Sequence, residues 1–194
     1  MDRTKRKSLN RQQFKLLPPL FIGAGLLLIG LATFFILPKP DTSAQNKEEN
    51  SAIPAVVEYA APELSLVDLQ GNEVALTDYR GTVVLLNNWA TWCPPCKAEM
   101  PTFESFYQEH QEKGFTIVAV EAGQPLEEVA RFVDQYNLSF PIWLDARSQA
   151  LDAFRNQRLP SSYLIDREGM VRLAWTGAIS RPMLDKYVIP YLED

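Results

Sequence analysis

The sequence predicts an α/β sandwich with a mixed sheet over residues 61–194. Two continuous apolar runs, Val83–Leu86 and Phe115–Val120, are typical of strands that are buried on both faces. Each run is followed by a segment with apolar residues at helical spacing, so strands and helices alternate in this part of the chain. The last two predicted strands flank a turn at Asp166–Gly169, which indicates a closing hairpin.

The individual elements follow from local patterns. Alternating apolar residues around Gln70-Gly71-Asn72 predict a short hairpin before the first buried strand. In chain order, the predicted elements are a hairpin at 64–76, a strand at 83–86, a helix at 93–113, a strand at 115–120, a helix at 126–136, a strand at 142–144, a short helix around 151–154, strands at 163–165 and 171–175, and a last helix around 184–188.

The N-terminal part of the chain differs in composition from the rest. Residues 1–15 carry six Lys and Arg against one Asp, although the 194-residue chain has a formal net charge of −5. The next 22 residues, Leu16–Leu37, contain no charge and are long enough to cross a ~30 Å hydrocarbon core. They predict a retained signal-anchor helix with the basic end in the cytoplasm. A cleaved signal peptide, with a weak cleavage site at 42–44, is the alternative. Residues 38–60 are polar and predict a flexible linker.

The composition excludes several classes of protein. A chain with 46% hydrophobic and 22% charged residues is not wholly disordered. Two cysteines and one histidine are too few for a four-ligand structural zinc site or for a disulfide-dense scaffold. The acidic balance argues against general nucleic-acid binding.

Both cysteines lie in the segment Trp92-Cys93-Pro94-Pro95-Cys96, after a predicted buried strand and at the start of a predicted helix. The free amide groups and dipole at a helix N-terminus stabilise a thiolate at Cys93, and the thiolate is the attacking species. Cys96 lies in the same turn, where its thiol can reach the Cys93 sulfur, and the prolines suit a first turn. The pattern indicates a redox-active pair. The alternatives are half a zinc site, buried apolar filler or a structural disulfide, which over so short a loop stabilises little.

Four segments carry a family resemblance: Asn87–Pro101, Phe115–Val120, Phe140–Asp145 and Leu159–Asp166. They resemble the membrane-anchored thioredoxin-like proteins of the TlpA/ResA type, which belong to the thioredoxin superfamily and carry a redoxin or AhpC/TSA-like domain. The resemblance covers residues 61–194. It implies a thioredoxin-like sandwich with a mixed central sheet and an N-terminal β-hairpin, here preceded by one transmembrane helix.

The resemblance also implies residue roles. Cys93 is the exposed nucleophile, Cys96 the resolving thiol, and Glu99 a functional acid one turn further along the helix, with a solvated glutamate as the alternative. Pro160 matches the family's cis-proline beside the cysteine pair, although an isolated proline there would read as an ordinary strand start. The residues expected to contact substrate are Trp92, Pro94, Pro95, Leu159 and Pro160.

Three further positions carry separate expectations. Asn88 stands where the family commonly has Phe, which leaves the local packing open. Asn87 occupies the place of the buried aspartate of thioredoxin, so Glu99 is the remaining candidate proton acceptor. The lone His110 is expected at the surface.

The resulting functional prediction is an exported, membrane-tethered protein-disulfide reductase on the outer face of the bacterial cytoplasmic membrane. Its expected substrates are exported proteins with cysteine pairs, such as apocytochrome c. Its electrons would come from a membrane donor, and no metal or cofactor is expected beyond the Cys93–Cys96 disulfide. The alternatives are a disulfide-forming oxidase, a non-catalytic binding domain, and a peroxide reductase. The last is disfavoured because Ala90 stands where the peroxiredoxin pattern has Thr or Ser.

Overall fold

The computed structural model of the chain describes residues 51–193. The expected basic N-terminus (1–15), the expected anchor helix (16–37) and most of the expected linker lie outside the described residues. Within the described part of the chain, no helix is both long enough and apolar enough to span a membrane.

Residues 51–193 form eight strands and four α-helices. The strands are β1 (Ala55–Ala60), β2 (Ser65–Asp68), β3 (Glu73–Ala75), β4 (Val83–Trp89), β5 (Phe115–Glu121), β6 (Ile142–Leu144), β7 (Ser161–Ile165) and β8 (Met170–Thr176). The helices are α1 (Pro94–His110), α2 (Leu126–Tyr136), α3 (Gln149–Ala153) and α4 (Arg181–Tyr187). Short 3-10 turns follow β3, α1 and α4.

The strands form one mixed sheet in the order β1-β8-β7-β4-β5-β6-β2-β3. The pairs β4–β5 and β5–β6 are parallel, and the remaining pairs are antiparallel. The N-terminal hairpin is β2–β3, with Leu66 opposite Val74, and Gly71 in its turn adopts a φ of 82°. The predicted α/β sandwich with a mixed sheet, an N-terminal hairpin and a closing hairpin is therefore confirmed.

The central strands β4 and β5 are buried along their whole length, as their continuous apolar runs predict. Each has a core on both faces. One core lies under α1 and α2 and contains Trp89, Phe103 and Phe132, whereas the other contains Leu86 and Trp143. Because these central strands are covered on both faces, their ends are where they come closest to the surface.

The predicted linker ends earlier than expected. Its last six residues form β1, an edge strand that pairs antiparallel with β8 and places Ala55 opposite Ala174. Almost all of its residues are exposed, so they show no burial periodicity, but the Val-Val-Glu-Tyr run has high strand propensity. Glu58 of this strand pairs with Arg172 of β8 at 2.9 Å. The described chain joins the sheet here rather than at residue 61.

The expectation of a surface position for His110 is wrong. The residue is only 6% exposed, and its ring stacks on Phe106 with 4.3 Å between the ring centroids. Its Nδ1 lies 2.9 Å from the Phe106 carbonyl oxygen. His110 follows Phe103 and Phe106 by seven and four residues, so it lies on the core-facing side of α1.

Candidate active site

The cysteine pair lies where β4 passes into α1. Cys93 is the residue that precedes the helix, and Pro94 and Pro95 occupy its first two positions, where an amide N–H has no partner within the helix. The Cys96 N–H donates to Cys93 Sγ at 3.3 Å. The helix N-terminus therefore directs a backbone donor at the sulfur, as the sequence predicts.

The two cysteines form a disulfide with 5.3 Å between their Cα atoms. Cys93 is 3% exposed and Cys96 is fully buried, and both belong to the core cluster that contains Trp89. The expectation of an exposed Cys93 is thus wrong for the disulfide form, in which Cys93 is bonded to buried Cys96 and packs in the core cluster. The exposed surface at this point comes from Trp92, which is 61% exposed, and from Pro94 and Pro95.

A cis peptide bond joins Leu159 to Pro160, as the resemblance implies. Pro160 is buried and directly precedes β7, whereas Leu159 is half-buried. Ser161 of β7 lies opposite Asn88 of β4, so the start of β7 and the end of β4 share one edge of the sheet. The cysteine pair and the cis-proline therefore lie at the same edge.

Glu99 is buried beneath this edge rather than solvated, with 2% of its surface exposed. Its Oε1 accepts a hydrogen bond from Asn87 Nδ2 at 3.0 Å, and its Oε2 accepts one from the Ile179 N–H at 3.0 Å. Burial raises the pKa of this carboxyl group to about 8, because the two hydrogen bonds favour the charged form less than desolvation opposes it. Asn87 also donates to Ser162 Oγ at 2.9 Å, which links Glu99 to β7.

The unusual Asn88 is also buried, on the opposite face of β4 from Asn87. Its Nδ2 donates to Ser161 Oγ at 3.3 Å. Its Oδ1 is buried and has no hydrogen-bond partner among the described residues. Asn88 and Ser161, the first residue of β7, therefore form a polar pair at the position where the family resemblance implies an apolar Phe.

Sequence reasoning missed a second buried carboxyl group, Glu121, at the end of β5. Its Oε2 accepts from the Gln124 N–H at 2.7 Å, and its Oε1 accepts from the Thr91 N–H at 3.5 Å. Burial raises the pKa of Glu121, and the hydrogen bonds oppose this shift. Its position in the sequence could have indicated it. Glu121 ends a strand that is parallel to β4, and the carboxyl ends of adjacent parallel strands commonly form the functional site of a protein with this kind of sheet.

The arrangement is suited to thiol–disulfide exchange. It provides a reactive cysteine at a helix N-terminus, a second cysteine bonded to it, a cis-proline at the same edge and a buried carboxyl group one turn past Cys96. Among residues 51–193, no three His, Cys, Asp or Glu side chains are grouped as metal ligands.

Comparisons with known proteins agree with this chemistry. Residues 57–174 match the AhpC/TSA family. The thiol-disulfide oxidoreductase ResA of Geobacillus thermodenitrificans is 41% identical over 128 residues, which are 66% of this chain and 74% of that protein. ResA of Halalkalibacterium halodurans is 41% identical over 123 residues, or 63% and 70% of the two chains.

Solved structures show the same fold. A Chlorobium tepidum protein assigned as the thiol:disulfide interchange protein DsbE superposes with a TM-score of 0.66 at 29% identity, covering 71% of this chain and 99% of that one. A Neisseria meningitidis protein assigned as a thioredoxin gives a TM-score of 0.64 at 32% identity, covering 69% and 90%. The cysteine-pair geometry, the family match and the relatives together place this chain in the AhpC/TSA family, as a ResA-like thiol-disulfide oxidoreductase with a thioredoxin-like fold.

Proposed function

We propose that the chain reduces disulfides in exported proteins and is held at the outer face of the bacterial cytoplasmic membrane by residues 16–37. The observation that carries the proposal is the Cys93–Cys96 disulfide at the N-terminus of α1, beside a cis-proline. The reducing direction is supported by the resemblance to ResA-like proteins. Apocytochrome c is the substrate that this resemblance suggests.

In the reduced enzyme, the Cys93 thiolate attacks one sulfur of a substrate disulfide. A mixed disulfide forms, and the second substrate sulfur leaves as a thiolate. The Cys96 thiolate then attacks Cys93 Sγ, which breaks the bond to the substrate and forms the Cys93–Cys96 disulfide. The substrate sulfur that was bonded to Cys93 also leaves as a thiolate, and the two substrate thiolates take up the two protons given up by Cys93 and Cys96. Two electrons pass to the substrate in each cycle. A membrane electron donor returns the pair to the dithiol, and no other cofactor or metal is proposed.

The substrate contacts proposed are Trp92, Pro94, Pro95, Leu159 and Pro160. The first three border the cysteine pair and are exposed. The backbone next to a cis-proline at the end of a sheet gives an extended substrate segment an edge to bind. Such contacts orient the substrate disulfide for attack by Cys93.

Glu99 is proposed as the group that accepts the proton of the Cys96 thiol before the second attack. It lies one helical turn past Cys96, is buried, and has a pKa of about 8, close to the ordinary range of a thiol. Proton transfer between groups of similar pKa is efficient. Its hydrogen bonds to Asn87 and to the Ile179 N–H hold the carboxyl group in place during transfer.

Substitution of the resolving thiol tests the order of attack. Cys96→Ser is expected to trap a mixed disulfide between Cys93 and a substrate, because the second attack is lost. Cys93→Ser is the matched control and should trap none. The adduct is measured by non-reducing electrophoresis and mass spectrometry, and trapping by the Cys93→Ser variant alone would reverse the assigned roles.

The redox potential tests the direction of the reaction. A reductase is expected to equilibrate with a thiol buffer near or below about −270 mV, the thioredoxin range. Alkylation of the two thiols reports the reduced fraction at each buffer ratio. A value near about −120 mV would identify a disulfide-forming oxidase and contradict the proposed reduction of substrates.

The buried acid predicts a pH-dependent stability of the oxidised protein. Because the pKa of Glu99 is raised from 4.5 to about 8, the folded state binds more protons than the unfolded state between these pH values. The free energy of unfolding should therefore fall as pH rises through this window, by up to about 1.4 kcal/mol per pH unit. Glu99→Gln should flatten the slope, which chemical denaturation at several pH values measures.

The control for this experiment is Glu112→Gln, an exposed position just past α1. It should leave the slope unchanged. In the reduced protein, Glu99→Gln should also shift the pH profile of cysteine alkylation. An unchanged alkylation profile would remove Glu99 from the proton transfer.

Membrane attachment is tested by fractionation of cells that express the full chain. The chain is expected to remain in the membrane pellet after alkaline carbonate extraction, because an apolar helix that spans the bilayer is not released by high pH. A chain that begins at residue 51 should appear in the soluble fraction. Release of the full-length chain by carbonate would contradict the proposed anchor.

A further inference from the structure

Glu121 occupies a fixed position next to the active-site segment. It is fully buried, and as the last residue of β5 it lies opposite Trp89, the last residue of β4. Its carbonyl oxygen accepts from the Asp145 N–H at 2.9 Å, and the next residue, Ala122, donates its N–H to the Trp89 carbonyl oxygen at 2.9 Å. The backbone on both sides of the side chain is therefore held by the sheet.

The Glu121 carboxylate bridges two backbone segments that are not otherwise part of the sheet. One oxygen accepts from the Gln124 N–H at 2.7 Å, in the loop that leads to α2. The other accepts from the Thr91 N–H at 3.5 Å, two residues before Cys93. The Glu121 carboxylate thus accepts a hydrogen bond from Thr91 at the point where the chain leaves β4 for the cysteine pair.

Gln124 extends this connection to Trp92. In the amide orientation that satisfies both ends of its side chain, Gln124 accepts from Trp92 Nε1 at 3.3 Å and donates to Glu128 Oε2 at 3.0 Å. Trp92 is the exposed aromatic residue that directly precedes Cys93. The Glu121 carboxylate is therefore connected to Trp92 in two ways. Thr91 directly precedes Trp92 in the chain, and Gln124 accepts a hydrogen bond from the Trp92 indole.

The charged groups around Glu121 make its ionisation costly. Glu128 of α2 and Asp145 after β6 are both acidic and act in the same direction as burial, which raises the pKa of Glu121. The cations of this region, Lys97 of α1 and Arg131 of α2, line the outer cleft beside Thr91. Among residues 51–193, neither they nor any other cation forms an ion pair with Glu121.

We propose that Glu121 is a positioning residue for the thiol–disulfide reaction, whose ionised carboxylate holds Thr91 and Gln124 and thereby fixes Trp92 beside Cys93. Protonation would put a hydrogen on one of two oxygens that each face an N–H donor, so one of the two hydrogen bonds is weakened, because a carboxyl hydroxyl oxygen is a poorer acceptor than a carboxylate oxygen. The active-site segment is then held less firmly on one side. This role applies to either direction of the exchange, and it therefore depends on the oxidoreductase activity but not on the proposed reduction of substrates.

The first test follows Trp92 in the oxidised full-length chain, where the cysteines do not titrate. The fluorescence of Trp92, isolated as the difference from a Trp92→Phe variant, should change with pH around one midpoint above the ordinary glutamate range. Glu121→Gln should abolish this transition. Glu99→Gln makes the same chemical change at the other buried glutamate and should preserve it. A transition that survives in Glu121→Gln, or that disappears only in Glu99→Gln, would overturn the proposal.

A second measurement needs no variant and decides the question if Glu121→Gln does not fold. The backbone amide resonances of Thr91 and Gln124 are followed by NMR in the unmodified oxidised chain between about pH 4 and 9. Because one carboxylate accepts from both N–H groups, both resonances should shift with a shared midpoint. Resonances that move with different midpoints, or that do not move, would overturn the proposal.

The third readout separates positioning from a general loss of stability. The rate at which the reduced enzyme attacks a labelled peptide disulfide should be about tenfold lower in Glu121→Gln than in the unmodified chain above the midpoint, because the attacking group is less well placed. Below the midpoint the two rates should converge, since the native carboxyl group is then neutral as well. A ratio that stays constant across pH would show a structural role only and overturn the proposal.

Discussion

The hydrogen bonding of β4 to β5 on one side and to β7 on the other is the constraint on which the site depends. The parallel pairing brings the ends of β4 and β5 to one edge, and the antiparallel pairing brings the start of β7 to the same edge. The segments that carry Cys93, Glu121 and Pro160 therefore reach the same end of the sheet although they are far apart in the sequence. A slip of one residue would turn Asn87 and Trp89 to the opposite face and separate Glu99 from its hydrogen-bond donor.

Two buried carboxyl groups lie on the face of the sheet that carries the cysteine pair. Glu99 is tied to β7 and to the Ile179 segment, whereas Glu121 is tied to Thr91 and to the loop before α2. Among residues 51–193 neither forms an ion pair, so desolvation decides the direction of both pKa shifts. The hydrogen bonds from Asn87, Ile179, Thr91 and Gln124 offset part of the cost of a negative charge at these two buried positions.

Much of this arrangement follows from local sequence patterns. The apolar runs of β4 and β5, the helix that starts at the cysteines and the hairpin at Gly71 were all predictable, because each is determined by residues close in the chain. The cis bond before Pro160 required the family resemblance. Glu121 was missed because its two hydrogen-bond donors come from the turn after β4 and from the loop before α2, which the sequence pattern does not bring together. His110 was misjudged because a lone polar ring favours a surface position, although it follows Phe103 and Phe106 at helical spacing, and β1 because an exposed edge strand gives no periodic burial signal.

The residues that lead into strand β1 occupy space near the end of the sheet that carries the cysteine pair. The first residue of β1, Ala55, lies opposite Ala174 near the end of β8. The preceding residues contact the 178–180 segment. The Ser180 N–H donates to Ser51 Oγ, and the Ala52 N–H donates to the Ala178 carbonyl oxygen, each at 2.9 Å. Because the next residue along that segment, Ile179, binds Glu99 through its N–H, the polypeptide enters the domain on the catalytic side of the sheet. A large protein that docks there has to share this space with Ser51 and Ala52, which are held against the 178–180 segment.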